Sequence, residues 1–124
     1  MEIAIVLGDL GTCERKQVGA VIIRDGRCIS WGYNGAPPGL PHCKHEDDSP
    51  CEVSTHAEAN AIAFAARQGI STEGGTLFVG VSPCLDCSKL LIAAGIRAVY
   101  YREEYRDSRG LELLREAGIR AESI

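Results

Sequence analysis

Three residues of metal-ligand type, split between two points of the chain, constrain its fold more than any other feature. His56 stands in Thr55-His56-Ala57-Glu58, and Cys84 and Cys87 stand in Pro83-Cys84-Leu85-Asp86-Cys87. Zinc takes nitrogen and sulfur ligands tetrahedrally, and a catalytic site uses three protein ligands and keeps one position open. If His56, Cys84 and Cys87 fill those three places, the two segments that carry them must lie side by side. Cys84 and Cys87 are three apart, so a single helical turn faces both sulfurs the same way. Pro83 suits the first turn of that helix, where its missing N–H costs nothing. The partial positive charge at a helix start also favours thiolates.

Two thiolates and a neutral imidazole leave a zinc site with formal charge near zero, so the metal alone acidifies water less than an all-histidine site does. A base is needed close by. Glu58, two residues from a ligand, is placed to take a proton and return it during hydrolysis. Other readings exist for each part taken alone. Thr55-x-x-Glu58 matches a capping box, in which Glu58 only reaches back to the cap. His56 ahead of an apolar helix could be a structural histidine, and Cys84-x-x-Cys87 a redox pair or half of a zinc knuckle. The joint occurrence of a histidine–glutamate pair opening one helix and a proline–cysteine pair opening the next favours a catalytic zinc site.

The 124 residues suit one domain, 1–124, with one core, and 45% hydrophobic against 24% charged residues is ordinary for a globular chain. A net charge of −4 argues against a broad nucleic-acid surface, because phosphate binding needs a basic stripe. A small anionic substrate needs only a few local cations. The apolar opening from Ile3 to Leu7 is too short to span a bilayer, and Glu2 stands where a signal peptide would be basic. A cytoplasmic location without membrane contact is expected. In that setting six cysteines point to metal binding ahead of disulfides.

Along the chain, Ile3, Val6, Leu7 and Leu10 recur at helical spacing and predict a short amphipathic helix ended by Gly11. Gln17 to Ile23 and Arg27 to Tyr33 read as a β-hairpin turned by Asp25-Gly26. Gly32 to Pro50 reads as an ordered loop that needs tying down. Cys13, Cys43 and Cys51 are the natural ties: with His45 or His42 they would make a second, four-ligand site of the closed structural kind, and the other reading is buried free thiols with His42 and His45 exposed. His56 to Gln68 is apolar nearly all round, as suits a helix between a sheet and another layer. Thr76 to Val81, Cys84 to Ala94 and Arg97 to Tyr101 form a strand–helix–strand unit. Ser108 to Ala117 adds a last amphipathic helix, and Ile119 to Ala121 a short edge strand.

Nearly the whole chain, from Cys13 to Ile119, resembles deoxycytidylate (dCMP) deaminases of the zinc-dependent cytidine deaminase superfamily. His-x-Glu followed by Pro-Cys-x-x-Cys is the pattern of zinc nucleobase deaminases. The runs Val18-Gly19-Ala20-Val21-Ile22, Gly32-Tyr33-Asn34-Gly35 and Phe64-Ala65-Ala66-Arg67 look like the dCMP deaminase family's own. The resemblance implies an α/β, three-layer αβα fold with a mixed sheet of about five strands and helices on both faces. It implies zinc-dependent hydrolysis of dCMP to dUMP and ammonia. His56, Cys84 and Cys87 would hold the zinc, and Glu58 would be the catalytic proton carrier. The backbone of Ala57 and Ser82 would contact the pyrimidine, Asn34 the sugar or base, and Tyr105 lies where the family keeps a site tyrosine.

In some members, cysteines placed like Cys13 and Cys43 hold a second zinc. The family also implies a homo-oligomer, commonly a hexamer, and Mg2+ only where an allosteric dCTP binds. The insertion before the catalytic histidine is much shorter here than in those members. The alternatives are a deaminase of another base, nucleoside or nucleotide, such as cytidine, cytosine or guanine, and, against the acidic balance and Gly32-Tyr33-Asn34-Gly35, a tRNA adenosine deaminase. A non-catalytic zinc scaffold would have no reason to keep a free carboxylate at position 58.

Overall fold

The computed structural model describes residues 1–13, 16–44 and 51–124. The chain runs α1 (Glu2–Gly8), β1 (Gly19–Arg24), β2 (Arg27–Tyr33), α2 (Ala57–Arg67), β3 (Thr76–Val81), α3 (Leu85–Ala93), β4 (Ala98–Glu103), α4 (Arg109–Glu116) and β5 (Arg120–Ser123). The hairpin forms where Asp25-Gly26 predicts it. Both residues have positive φ, 52° and 73°, which is the turn that matches the twist of two antiparallel strands.

The strands make one mixed sheet in the order β2-β1-β3-β4-β5. β1 pairs antiparallel with both β2 and β3, while β3, β4 and β5 run parallel. Parallel neighbours need a crossover, and α3 and α4 supply it. Ala20 and Ile22 of β1, Leu77 and Val79 of β3, and Val99 and Tyr101 of β4 alternate onto one face and join Ala57, Ala61, Leu91, Leu111 and Leu114 in a single core. α2 lies unusually close to the sheet. A Cβ at Gly32 would stand 2.6 Å from both Ala57 O and Ala61 N.

The other face carries α1, and here the sequence expectation is only partly met. The helix is present, but Ile3, Val6 and Leu10 are exposed, while Ala4 and Gly8 are buried. The reason is steric: a Cβ at Gly19 would reach to 2.5 Å from Gly8 N, so only the small residues of α1 fit against the strand. Beyond α1 this face is aromatic. Phe78 and Tyr100 stack at 5.4 Å, and Trp31 at the edge packs between Tyr33 at 6.1 Å and Phe64 of α2 at 6.0 Å. The outer side of α2 is likewise open, with Phe64 44% exposed. The second layer that its apolar outer surface suggested is not supplied by the described residues of this chain.

Candidate metal centre and active site

α2 and α3 start side by side at one end of the sheet, and their starts bring His56, Cys84 and Cys87 together. The imidazole Nδ1 stands 3.5 Å from Cys84 Sγ and 3.4 Å from Cys87 Sγ. All three ligand atoms lie within 4.8 Å of one another. Tetrahedral zinc with ordinary Zn–N and Zn–S bonds sets such atoms about 3.6 Å apart for nitrogen to sulfur. The donor set and its spacing therefore fit zinc.

Local structure produces this arrangement. Cys84 is the N-cap of α3, and its sulfur accepts the N–H of Cys87 at 3.4 Å. Pro83 thus precedes the cap and does not occupy the first turn as its sequence position suggested. His56, not Thr55, is the N-cap of α2, and no side chain caps that helix. The capping box read from Thr55-x-x-Glu58 does not form. Glu58 is instead buried, at 5% exposure, in the first turn of α2.

The electrostatics of the metal-free site follow from crowding. Burial pushes the Glu58 carboxyl up to about 7. Cys84 is held down to about 4, first by the hydrogen bond from Cys87 and then by His56, while Cys87 is pushed up as the member that keeps the shared proton and is more deeply enclosed. His56 is raised by its contact with Cys84. One thiolate beside a raised imidazole is a pair that a divalent cation completes by displacing the remaining protons.

The four residues expected to meet a substrate all adjoin this corner. Ala57 opens α2, and Ser82 lies two residues before Cys84. Ser82 Oγ accepts the backbone N–H of Tyr105 at 2.7 Å, a role for its hydroxyl that its sequence position did not suggest. Asn34 is almost wholly buried and its amide braces backbone, with Oδ1 accepting Val18 N–H at 2.7 Å and Nδ2 donating to Lys16 O at 2.5 Å. Next to it, Gly35 forms an isolated antiparallel bridge to Thr55. Sequence reading missed this bridge, and only the glycine after Asn34 hinted at a close approach.

Cys13, Cys43 and Cys51 also converge, their sulfurs within 4.8 Å of one another. Burial, with hydrogen bonds to Cys51 and Cys13, lifts Cys43 to about 12. Burial acts upward on Cys51 too, but the N–H groups of Ser54 and Val53 outweigh it and lower that thiol. His42 is exposed and outside this group, and His45 lies outside the described residues.

Residues 1–103 match the family described as the cytidine and deoxycytidylate deaminase zinc-binding region. The chain is 42% identical to ComE operon protein 2 of Bacillus subtilis (strain 168), covering 91% of this chain but 62% of that protein. It is 34% identical to the deoxycytidylate deaminase of Enterobacteria phage T2, covering 96% of this chain and 87% of the phage protein. Its fold superimposes on the crystal structure of dCMP deaminase from the cyanophage S-TIM5 in complex with dCMP and dUMP, with a TM-score of 0.94 and 37% identity over 99% of this chain and 92% of that one. With the family match over residues 1–103 and these identities over nearly the whole chain, the chain belongs to the cytidine and deoxycytidylate deaminase zinc-binding family.

Proposed function

We propose that the protein is a zinc-dependent hydrolase that converts dCMP and water to dUMP and ammonia. The observation that carries this reading is the convergence of His56, Cys84 and Cys87 beside a buried Glu58, in a fold that superimposes on a dCMP deaminase solved with dCMP and dUMP. Zinc, when bound by these three residues, supplies the Lewis acidity that makes water nucleophilic at neutral pH. Glu58 moves the protons. Its carboxylate takes one from the attacking water as the oxygen adds to C4, delivers it to N3 of the cytosine ring, then takes the proton of the new C4 hydroxyl and passes it to the 4-amino nitrogen, which leaves as ammonia as the C4–N bond breaks and the C4 carbonyl forms. A carboxyl drawn toward neutrality by burial is suited to both accepting and donating. The burial of Glu58 keeps bulk water from its carboxyl during those transfers.

In this reading the backbone of Ala57 and Ser82 faces the pyrimidine, Asn34 the sugar or base through its remaining N–H and lone pair, and Tyr105, whose backbone N–H is held by Ser82, joins them at the site. The Cys13, Cys43 and Cys51 cluster holds a second, structural zinc, with His45 as fourth ligand. Two buried thiols and a half-buried one, all within 4.8 Å of one another, match the donors of a closed zinc site. Mg2+ enters only with an allosteric dCTP. The exposed Phe64 side of α2 is a contact between copies in a homo-oligomer, a hexamer as is common in the family. Among the described residues no helix is long and apolar enough to cross a membrane, which fits a cytoplasmic enzyme.

A product assay across dCMP, dCTP, cytidine, cytosine and a tRNA anticodon stem, with and without dCTP and magnesium, tests the assignment. Turnover of dCMP above the others is expected. Clear turnover of cytidine with none of dCMP overturns it.

A further inference from the structure

We infer that Gly35 is a positioning residue for the metal ligand His56, and that it acts through the space its missing side chain leaves for Thr12. The inference rests on the zinc reading of the His56, Cys84 and Cys87 site.

The start of α2 has no side-chain cap, so the place of His56 is set from outside the helix. What sets it is the bridge one residue earlier. Thr55 N–H donates to Gly35 O at 2.7 Å, and Gly35 N–H donates to Thr55 O at 3.1 Å. Gly35 in turn follows a residue that cannot slide. Asn34 N–H donates to Val18 O and Asn34 O accepts Thr12 N–H, both at 3.0 Å, while its side chain holds Val18 and Lys16. Register therefore passes from the segment that leads into β1, through Asn34 and Gly35, to the residue beside His56.

Thr12 presses on this link. A Cβ built at Gly35 overlaps Thr12 Oγ1 and stands 3.4 Å from Thr12 Cβ. Gly35 is not among the glycines with positive φ, so alanine suits its backbone, and among the described residues it is Thr12 that stands in the way. Thr12 cannot retreat, because its N–H is bonded to Asn34 O. Its two heavy branches leave only one of three staggered arrangements with nothing aimed at Gly35. Thr12 Oγ1 is itself buried without a hydrogen-bond partner among the described residues, so removing it breaks no bond. A methyl at position 35 is thus accommodated by opening the Gly35–Thr55 bridge, and His56 moves with Thr55. A metal ligand tolerates only a few tenths of an ångström of such movement.

The test is zinc affinity, measured on the full chain by competition with a chromogenic chelator and read on the binding step that Cys84→Ser abolishes. Gly35→Ala is expected to bind zinc about tenfold to a hundredfold more weakly, as for other changes to groups that orient a ligand. Thr12→Ala is expected to stay within about threefold of wild type, and the Thr12→Ala/Gly35→Ala double variant to return to that range. Metal-free thermal stability is measured alongside, because a merely structural role lowers it in Gly35→Ala while leaving zinc affinity alone. Wild-type affinity in Gly35→Ala overturns the inference, as does a folded double variant as weak as Gly35→Ala. If Gly35→Ala does not fold, the double variant decides alone. A wild-type chain with no such binding step overturns the zinc reading itself, a result distinct from either.

Discussion

Ser82 Oγ and Tyr105 N are joined by a 2.7 Å hydrogen bond that fastens the segment after β4 to the end of β3, two residues before the ligand Cys84. Ser82 is buried, so Ser82→Ala leaves the Tyr105 N–H without its acceptor. A loss of about 1–3 kcal/mol is expected, seen as a lower midpoint in denaturant. KM for dCMP should rise as Tyr105 loosens. Ser82→Thr keeps the oxygen and should recover both. An alanine variant as stable as wild type would show that the bond contributes nothing.

Glu58→Gln should keep its zinc and lose turnover by about 100-fold to 10,000-fold, since a proton carrier acts on the transition state and not on the metal. Elemental analysis beside a steady-state assay checks this. Loss of zinc from the variant would instead make Glu58 a ligand.

Burial of Glu58 also predicts a pH dependence for the metal-free chain. The carboxyl titrates near 4.5 when solvated and at about 7 in the fold, so between these values the folded state binds a proton that the unfolded state does not. The contribution of Glu58 to stability is therefore greatest below the lower value and falls as pH rises through the upper one. His56, raised by Cys84, acts in the same direction at the upper end. Cys84, held down to about 4, acts in the opposite sense over the same window, so the Glu58 contribution is read as a difference: urea midpoints of chelator-treated Glu58→Gln should rise with pH relative to those of the wild type. An equal slope in both proteins would place the titration elsewhere.

For the second metal, the wild-type chain should carry two zincs and Cys43→Ser only one, with lower stability. A single zinc in the wild type, with Cys13, Cys43 and Cys51 all open to a thiol reagent, would exclude it. Structural zinc contributes on the order of 10 kcal/mol in small peptides. The loss here should be smaller, because Ile22, Leu77 and Val99 form a core of their own.

Local signals in the sequence reached as far as local forces do. The Asp25-Gly26 hairpin, the strand–helix–strand unit around Cys84 and the helix opened by His56 each depend on neighbours in the chain, and each is found in the structure. The convergence of His56, Cys84 and Cys87 was legible because zinc permits few donor sets and spacings. What was not legible depends on distant backbone. Ile3, Val6 and Leu10 face solvent because Gly19 admits only Ala4 and Gly8 against it. The Thr55 capping motif fails because its backbone is engaged by Gly35, and Ser82 gains its partner from a segment more than twenty positions away. No periodicity carries such information.

The sequence holds one tryptophan, Trp31, and it lies at the sheet edge against Tyr33 and Phe64, away from the paired helix starts. Its indole is a built-in optical reporter of one seam, that between β2 and the outer flank of α2. At 41% exposure, its emission stands to shift further if that flank becomes covered. Intrinsic fluorescence should then follow self-association with dilution while remaining nearly blind to loading of the metal centre, so the two events can be read separately in a single cuvette.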